Sequence, residues 1–198
     1  MSPLRESLKL KDGKLFNLDF HNRRMNIARK KYFGLESKLS LGQIITIPED
    51  KRMGLFRCRV TYSPEIDKIE FISPTYRKIK SLKLIIENNI DYQFKYADRH
   101  HLQKLYKLRG DCDDILIVKN GFVSDSFTAN PVFFDGDKWW TPDTPLLAGT
   151  QREKLLEEGK LFACKITPGD LYKYEKVGLI NAMQDMEDMP VLNISDII

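Results

Sequence analysis

Four groups of residues in this sequence could do chemistry, and they come in a definite order. His21 and Arg24 stand one helical turn apart in LDFHNRRMNIARKKYFG. Lys95 sits between Phe94 and Tyr96, just before a helix-like segment. Asp125 and Asn130 lie in the polar run GFVSDSFTAN, which follows the strand-like DILIV. Gly149, Thr150 and Gln151 open a second helix-like stretch, GTQREKLLEEGK.

Each type has a chemical use and an ordinary reading. A free lysine has a pKa near 10.4, so about one in 2,500 is neutral at pH 7. A lysine that works as nucleophile or base needs that pKa lowered by burial or nearby positive charge. Phe94 and Tyr96 could supply apolar surroundings for Lys95. An arginine fork binds anions through two donors at once. The first N–H groups of a helix point outward at the positive end of its dipole, which suits an anion at Gly149-Thr150-Gln151. Taken singly, Lys95 reads as a surface lysine, Arg24 as a solvated helix residue and Asp125 as a turn aspartate. Asn130 reads as structural, and GTQ as a plain helix start.

The elements around these residues follow from periodicity and turn chemistry. RESLKLKDGKLF alternates around Leu8 and Leu10 and turns at KDGK, which predicts a hairpin. Phe20, Arg24, Ile27, Ala28 and Lys31 recur near helical spacing, with Asp19 as N-cap and Gly34 past the end. GQIITIPED is a strand or the start of a second helix. In GLFRCRVTY, Phe56, Cys58, Val60 and Tyr62 share one face, and Arg57, Arg59 and Thr61 the other. KIEFI makes the next strand, and IKSLKLIIE is expected to continue that sheet. The character changes near Asn88–Asp91, which predicts two lobes, residues 1–89 and 90–198. Leu102, Leu105, Tyr106 and Leu108 predict a helix ending at Gly110. DILIVKNGFVSDS reads as strand, Asn-Gly turn and strand, and PVFFDGDKWWTP repeats the pattern with Asp-Gly. VGLINAM is a buried strand. Mixed helices and strands in both halves make the class α+β.

Composition removes several function classes. The 198 residues are 42% hydrophobic and 30% charged, which fits a folded chain rather than a disordered one. No apolar run is long enough to span a membrane, and MSPLRESLKLKDGK lacks the apolar core of a signal peptide. Three scattered cysteines and three histidines suit reduced thiols in the cytoplasm, with no disulfide framework and no metal. The net charge of +4 is mild, and a solvated helix face accounts for NRRMNIARKK better than nucleic-acid binding does. Neither a G-x-G-x-x-G after a strand nor a G-x-x-x-x-G-K-[ST] occurs.

Taken in order, the groups resemble the class IV aminotransferase family, the fold-type IV enzymes that use pyridoxal 5′-phosphate. This family includes branched-chain and D-amino-acid aminotransferases and 4-amino-4-deoxychorismate lyase. The resemblance spans roughly residues 5 to 191. RESLKLKDGKLFNLDFHNRR is similar to the family's F-E-T…L…H-x-x-R, and DDILIVKNGFVSDSFTAN to its G-x-V-x-E-x-x-x-x-N. WWTPDTPLLAGTQR is similar to its T-P…L-x-G-x-x-R, and LINAMQDMEDMPV to its N-x-x…P-V region.

The resemblance implies two small α/β lobes with the cofactor between them, the second lobe binding it, and a homodimer. Lys95 would carry the cofactor as a Schiff base and then act as base. Asp125 would keep the pyridine nitrogen protonated, with Asn130 orienting its loop. Arg24, Thr150 and Gln151 would hold the phosphate. Arg59 and Arg99 are candidates for a substrate carboxylate, ordinary ion pairs being the alternative. The substrate would be an amino acid or amino-carboxylate, with transamination or elimination to pyruvate as the outcome. Two departures stand out. Asp125 replaces the family's Glu and is shorter by about 1.5 Å, and the chain opens almost at the F-E-T segment, as if truncated at its start. Both admit a second expectation, a catalytically impaired homologue that binds the cofactor as a binding module.

Overall fold

The computed structural model describes residues 1–198. The chain divides into two compact units: Met1–Tyr76 with Phe94–Asp98, and Arg77–Gln93 with Arg99–Ile198.

In the first unit, β1 (Leu4–Lys11) and β2 (Lys14–Leu15) form the expected hairpin. Asp12 and Gly13 take φ of 47° and 74°, the left-handed pair that a two-residue turn between twisted strands requires. α1 (Leu18–Phe33) and the short α2 (Leu41–Ile44) follow. β3 (Leu55–Tyr62) and β4 (Ile66–Ile72) complete an antiparallel sheet in the order β2-β1-β3-β4. β1 alternates strictly. Leu4, Glu6, Leu8 and Leu10 are buried, and Arg5, Ser7 and Lys9 face away. Cys58, Val60 and Tyr62 of β3 join the buried face, where Met25 and Ala28 of α1 pack. A charged residue thus sits in the middle of an apolar stripe.

That residue changes how α1 lies. Its buried stripe is His21, Met25, Ala28 and Arg29, while Ile27 stays 48% exposed. The stripe expected through Phe20, Ile27 and Lys31 is therefore displaced, because Glu6 draws His21 and Arg24 toward the sheet. Arg29 is buried and donates to the carbonyls of Ser37 and Pro64. The basic run is consequently not one solvated face, since only Arg23, Lys30 and Lys31 of its cations point outward. Asn17, at φ 55°, is the N-cap in place of Asp19, which lies in the first turn. Gly34, at φ 74°, closes the helix as expected.

Residues 94–98 line the outer edge of β1. Tyr96 bridges Leu4, Arg5 N–H donates to the Lys95 carbonyl at 2.8 Å, and Ala97 N–H donates to Pro3 at 2.8 Å. The rings of Phe94 and Tyr96 rest against Tyr32 of α1, with centroids 5.2 and 5.7 Å away.

The second unit holds β5 (Leu82–Ile86), α3 (His100–Lys107), β6 (Asp114–Lys119), β7 (Phe122–Ser126) and β8 (Asn130–Phe134). It continues with β9 (Trp139–Pro142), α4 (Thr150–Glu157), β10 (Phe162–Cys164), β11 (Lys176–Ile180) and β12 (Val191–Asn193). These strands make a sheet in the order β5-β6-β7 and another in the order β10-β9-β8-β11-β12. IKSLKLIIE does not extend the first sheet, contrary to expectation. β5 pairs parallel with β6, from Leu82 opposite Asp114 to Ile86 opposite Val118. A parallel pair needs a long crossover, and the segment containing α3 supplies it. β6 is buried almost throughout, so both of its faces are covered and its apolar run does not alternate. The Asn120-Gly121 turn and the 135–138 hairpin form as expected. No helix is long and apolar enough to cross a membrane, and all three cysteines are free thiols.

Candidate active site

Lys95, Arg24 and Arg59 belong to the first unit, and Asp125, Asn130, Thr150, Gln151 and Arg99 to the second. Each half has its own geometry.

The first half centres on Glu6. Its carboxylate accepts from His21 Nδ1 at 2.6 Å, Arg24 Nε at 3.0 Å and Arg24 Nη2 at 2.5 Å. Burial pushes the Glu6 carboxyl up, but the Arg24 charge and the bonds from His21 and Arg24 overcome it and hold it down to about 2. Burial lowers His21 in turn, against the pull of Glu6, so the ring is neutral and Nδ1–H donates. Arg24 is fixed edge-on by two of its donors. Lys95 is half-buried beside β1, and its charge reaches His21. Arg59 lies on the opposite face of the sheet, between Ser7 and Glu70. Its Nη1 is 3.9 Å from Glu70, a loose pair, and its buried Nε has no acceptor.

The second half centres on Asp125, near the end of β7 and 7% exposed. Oδ1 accepts from Asn130 Nδ2 at 2.5 Å. Oδ2 accepts from Leu146 N–H, from Leu147 N–H at 3.3 Å and from Ser124 Oγ at 3.3 Å. All these donors are neutral. Burial pushes the Asp125 carboxyl up to about 7, against those bonds and the more distant Arg152 charge. Asn130 begins β8 and also donates to the Leu147 carbonyl at 3.0 Å, so it ties Asp125 to the loop before α4. At the tip of that helix Thr150, Gln151 and Arg152 are all buried. Arg152 braces α4 to β9 by donating to the Pro142 carbonyl at 2.9 Å, while its buried Nε has no acceptor. Arg99 donates to the Phe127 carbonyl and lies over the Phe127 ring.

Gly149 has an unstrained backbone, with φ −71° and ψ 138°. What requires glycine there is space. A Cβ would lie 2.0 Å from Asn130 Oδ1. Gly149→Ala must displace Asn130 and is expected to lower stability by about 1–3 kcal/mol. Asn130→Ala added to it should cost far less than in the wild type, and additive melting temperatures would refute the steric coupling.

Glu6, the acceptor at the centre of the first cluster, is not among the site residues expected from the sequence. The signal was present: LRESLKL places one charged side chain at an inward position of an otherwise apolar alternation.

The amino-transferase class IV family profile matches residues 93–194. An uncharacterized protein of Haemophilus influenzae is 37% identical over 188 residues, covering 94% of this chain and 100% of that one. A crystal structure from Haemophilus somnus 129PT, provisionally described as a 4-amino-4-deoxychorismate lyase, is 34% identical with a TM-score of 0.88. It is matched over 94% of this chain and 98% of that one. The branched-chain amino acid aminotransferase of Escherichia coli is similar in fold alone, at 13% identity and a TM-score of 0.72, over 99% of this chain and 76% of that one. The mixed α+β architecture is that of fold-type IV, and the chain belongs to the class IV aminotransferase family of pyridoxal-phosphate-dependent aminotransferases and lyases.

Proposed function

We propose that this chain binds pyridoxal 5′-phosphate through Lys95 and acts on an amino acid or amino-carboxylate. The observation that carries the reading is Asp125. A buried carboxyl pushed up to about 7, with only neutral donors in contact, suits a protonated ring nitrogen as its missing cationic partner. The orphaned Nε of Arg152 in the first turn of α4 suits an anion nearby. The donor set therefore fits the cofactor. Asp125 would hold the ring nitrogen, with Asn130 fixing the carboxylate. Thr150, Gln151 and the α4 N–H groups would hold the phosphate, together with the Arg24 fork that Glu6 orients.

When bound, pyridoxal 5′-phosphate supplies an electron sink for charge developing at the substrate α-carbon. Lys95 Nζ would have two tasks: to hold the cofactor and, as a free amine, to take the proton from the substrate carbon that bears the amino group. The neutral His21 adds no charge beside it, and Arg24 lends positive potential that favours the free amine. Arg59, whose buried Nε has no acceptor, would receive the substrate carboxylate, since Arg99 is committed to the Phe127 carbonyl and ring. Departure of a leaving group from the carbon next to the deprotonated one gives elimination, whereas return of the proton without such a departure leads to transamination. Pyruvate-forming elimination of 4-amino-4-deoxychorismate is the first substrate to test, since the Haemophilus somnus protein carries that description at 34% identity. A homodimer is part of the same proposal.

Visible absorbance of the protein saturated with cofactor, followed by borohydride reduction and peptide mapping, tests the linkage. An adduct on Lys95 is the expected result. Absence of any adduct would favour a chain without this chemistry. Pyruvate release from aminodeoxychorismate, set against keto acid from a panel of L- and D-amino acids, separates lyase from aminotransferase.

A further inference from the structure

The turn between β7 and β8 carries Asp125 just before it and Asn130 just after it. It closes on itself through Ser126 N–H to the Ala129 carbonyl at 2.9 Å and Ala129 N–H to Ser126 Oγ at 3.1 Å. The rest of its anchorage comes from other elements. Arg99, at the N-cap of α3, donates Nη2–H to the Phe127 carbonyl, and its guanidinium lies 4.3 Å from the centroid of the Phe127 ring. That ring also stacks on Tyr106 of α3 at 4.3 Å and 18°. Arg109 covers Tyr106 at 4.1 Å. Arg77 donates to Tyr106 Oη at 2.8 Å, to Asp114 at 2.7 Å and to Thr128 Oγ1 at 3.4 Å. Asp114 Oδ1 accepts the Phe127 N–H at 3.4 Å. The N–H, carbonyl and ring of Phe127 are thus all held from outside the turn.

We infer that Arg99 is a positioning residue: by clamping Phe127 it holds Asp125 on the Leu146 and Leu147 N–H groups and on Asn130. The role in catalysis rests on the reading of Asp125 as the ring-nitrogen partner. The clamp itself does not. An arginine serves here where a lysine would serve less well. Its planar fork stacks on an aromatic face and donates to the carbonyl beside it with one group. Arg99 stands four residues after Lys95 in the chain. One short segment therefore carries both the proposed amine and the clamp on the proposed carboxylate.

The test titrates the Asp125 carboxyl by its side-chain ¹³C shift in the full chain before cofactor is added, with amide hydrogen exchange alongside. The wild type should titrate near 7. Arg99→Met should lower that midpoint by roughly one pH unit or more, because water reaching the carboxyl removes the burial that raises it. Leu146 and Leu147 N–H exchange should rise about tenfold in the same variant, with Val177 and Leu179 of β11 unchanged. Arg99→Lys keeps charge and a donor and should recover part of both effects. An unmoved midpoint, or an equal rise in exchange at β11, overturns the inference. If Arg99→Met does not fold, Phe127→Leu replaces it: a fall in the midpoint supports the clamp, and a fixed midpoint overturns it. Failure of borohydride trapping in the wild type would sink the cofactor reading and leave this titration result standing.

Discussion

Lys95→Ala should give a folded protein whose turnover is lower by about 10⁴-fold or more, since one substitution removes both the cofactor's attachment point and the base. Folding should survive because the substitution keeps the Lys95 main chain, which ties this segment to β1. The Lys95 carbonyl accepts from Arg5 N–H, and the neighbouring rings of Phe94 and Tyr96 fill the core. Circular dichroism and melting temperature should therefore match the wild type while product formation disappears. Lys119 is the internal control. Its Nζ donates to the Ile90 carbonyl at 2.6 Å, a structural use, so Lys119→Ala should keep nearly all turnover. Substantial turnover in Lys95→Ala, or loss of it in Lys119→Ala, would move the chemistry to another amine.

The largest effect on stability is expected from Glu6→Gln. The amide keeps the shape but not the charge, and it turns a donor toward Arg24 or His21, which already donate. Removing one partner of a buried charged cluster costs about 3–5 kcal/mol, which corresponds to a melting point lower by roughly 10 °C for a chain of this size. The pH dependence gives an independent signature. The folded value of Glu6, about 2, lies below its ordinary 4.5, so the cluster adds stability above pH 4.5 and loses it as pH falls toward 2. The size of that loss is about 3 kcal/mol. His21 is also depressed, so keeping it neutral begins to cost stability below pH 6.5, in the same direction. Asp125 runs the other way. Its carboxyl is raised, so its ionisation weakens the fold as pH rises from 3.8 toward 7. Acid unfolding of wild type and Glu6→Gln should therefore differ in slope between pH 4.5 and 2. Parallel curves there would show that Glu6 does not hold the cluster.

Local chemistry was readable in the sequence, and tertiary register was not. The Asp-Gly and Asn-Gly turns, the stop at Gly34 and the alternation of Cys58, Val60 and Tyr62 each need only neighbours within a few residues. Helix α1 was visible too, but not which side of it is buried. That side is chosen by Glu6, fifteen residues before His21, once β1 lies against the helix. The sheet membership of β5 depends on a strand that begins 32 residues after it does. Asp125 and Asn130 stand out as a polar pair after an apolar strand, but their mutual bond and the intrusion of Asn130 into the space above Gly149 depend on how the β7–β8 turn meets the loop before α4. Arg99 is a candidate for a substrate carboxylate by sequence, and its bond to the Phe127 carbonyl depends on a turn nearly thirty residues away.

Residues 94–98 complete the first unit, although Arg77–Gln93 before them and everything after them belong to the second. During synthesis the ribosome must therefore deliver more than ninety residues before the edge of β1 at Leu4 and Arg5 can be closed. Until then the nascent chain carries an open strand edge next to an uncovered Tyr32, and that is the interval in which a chaperone would find something to hold.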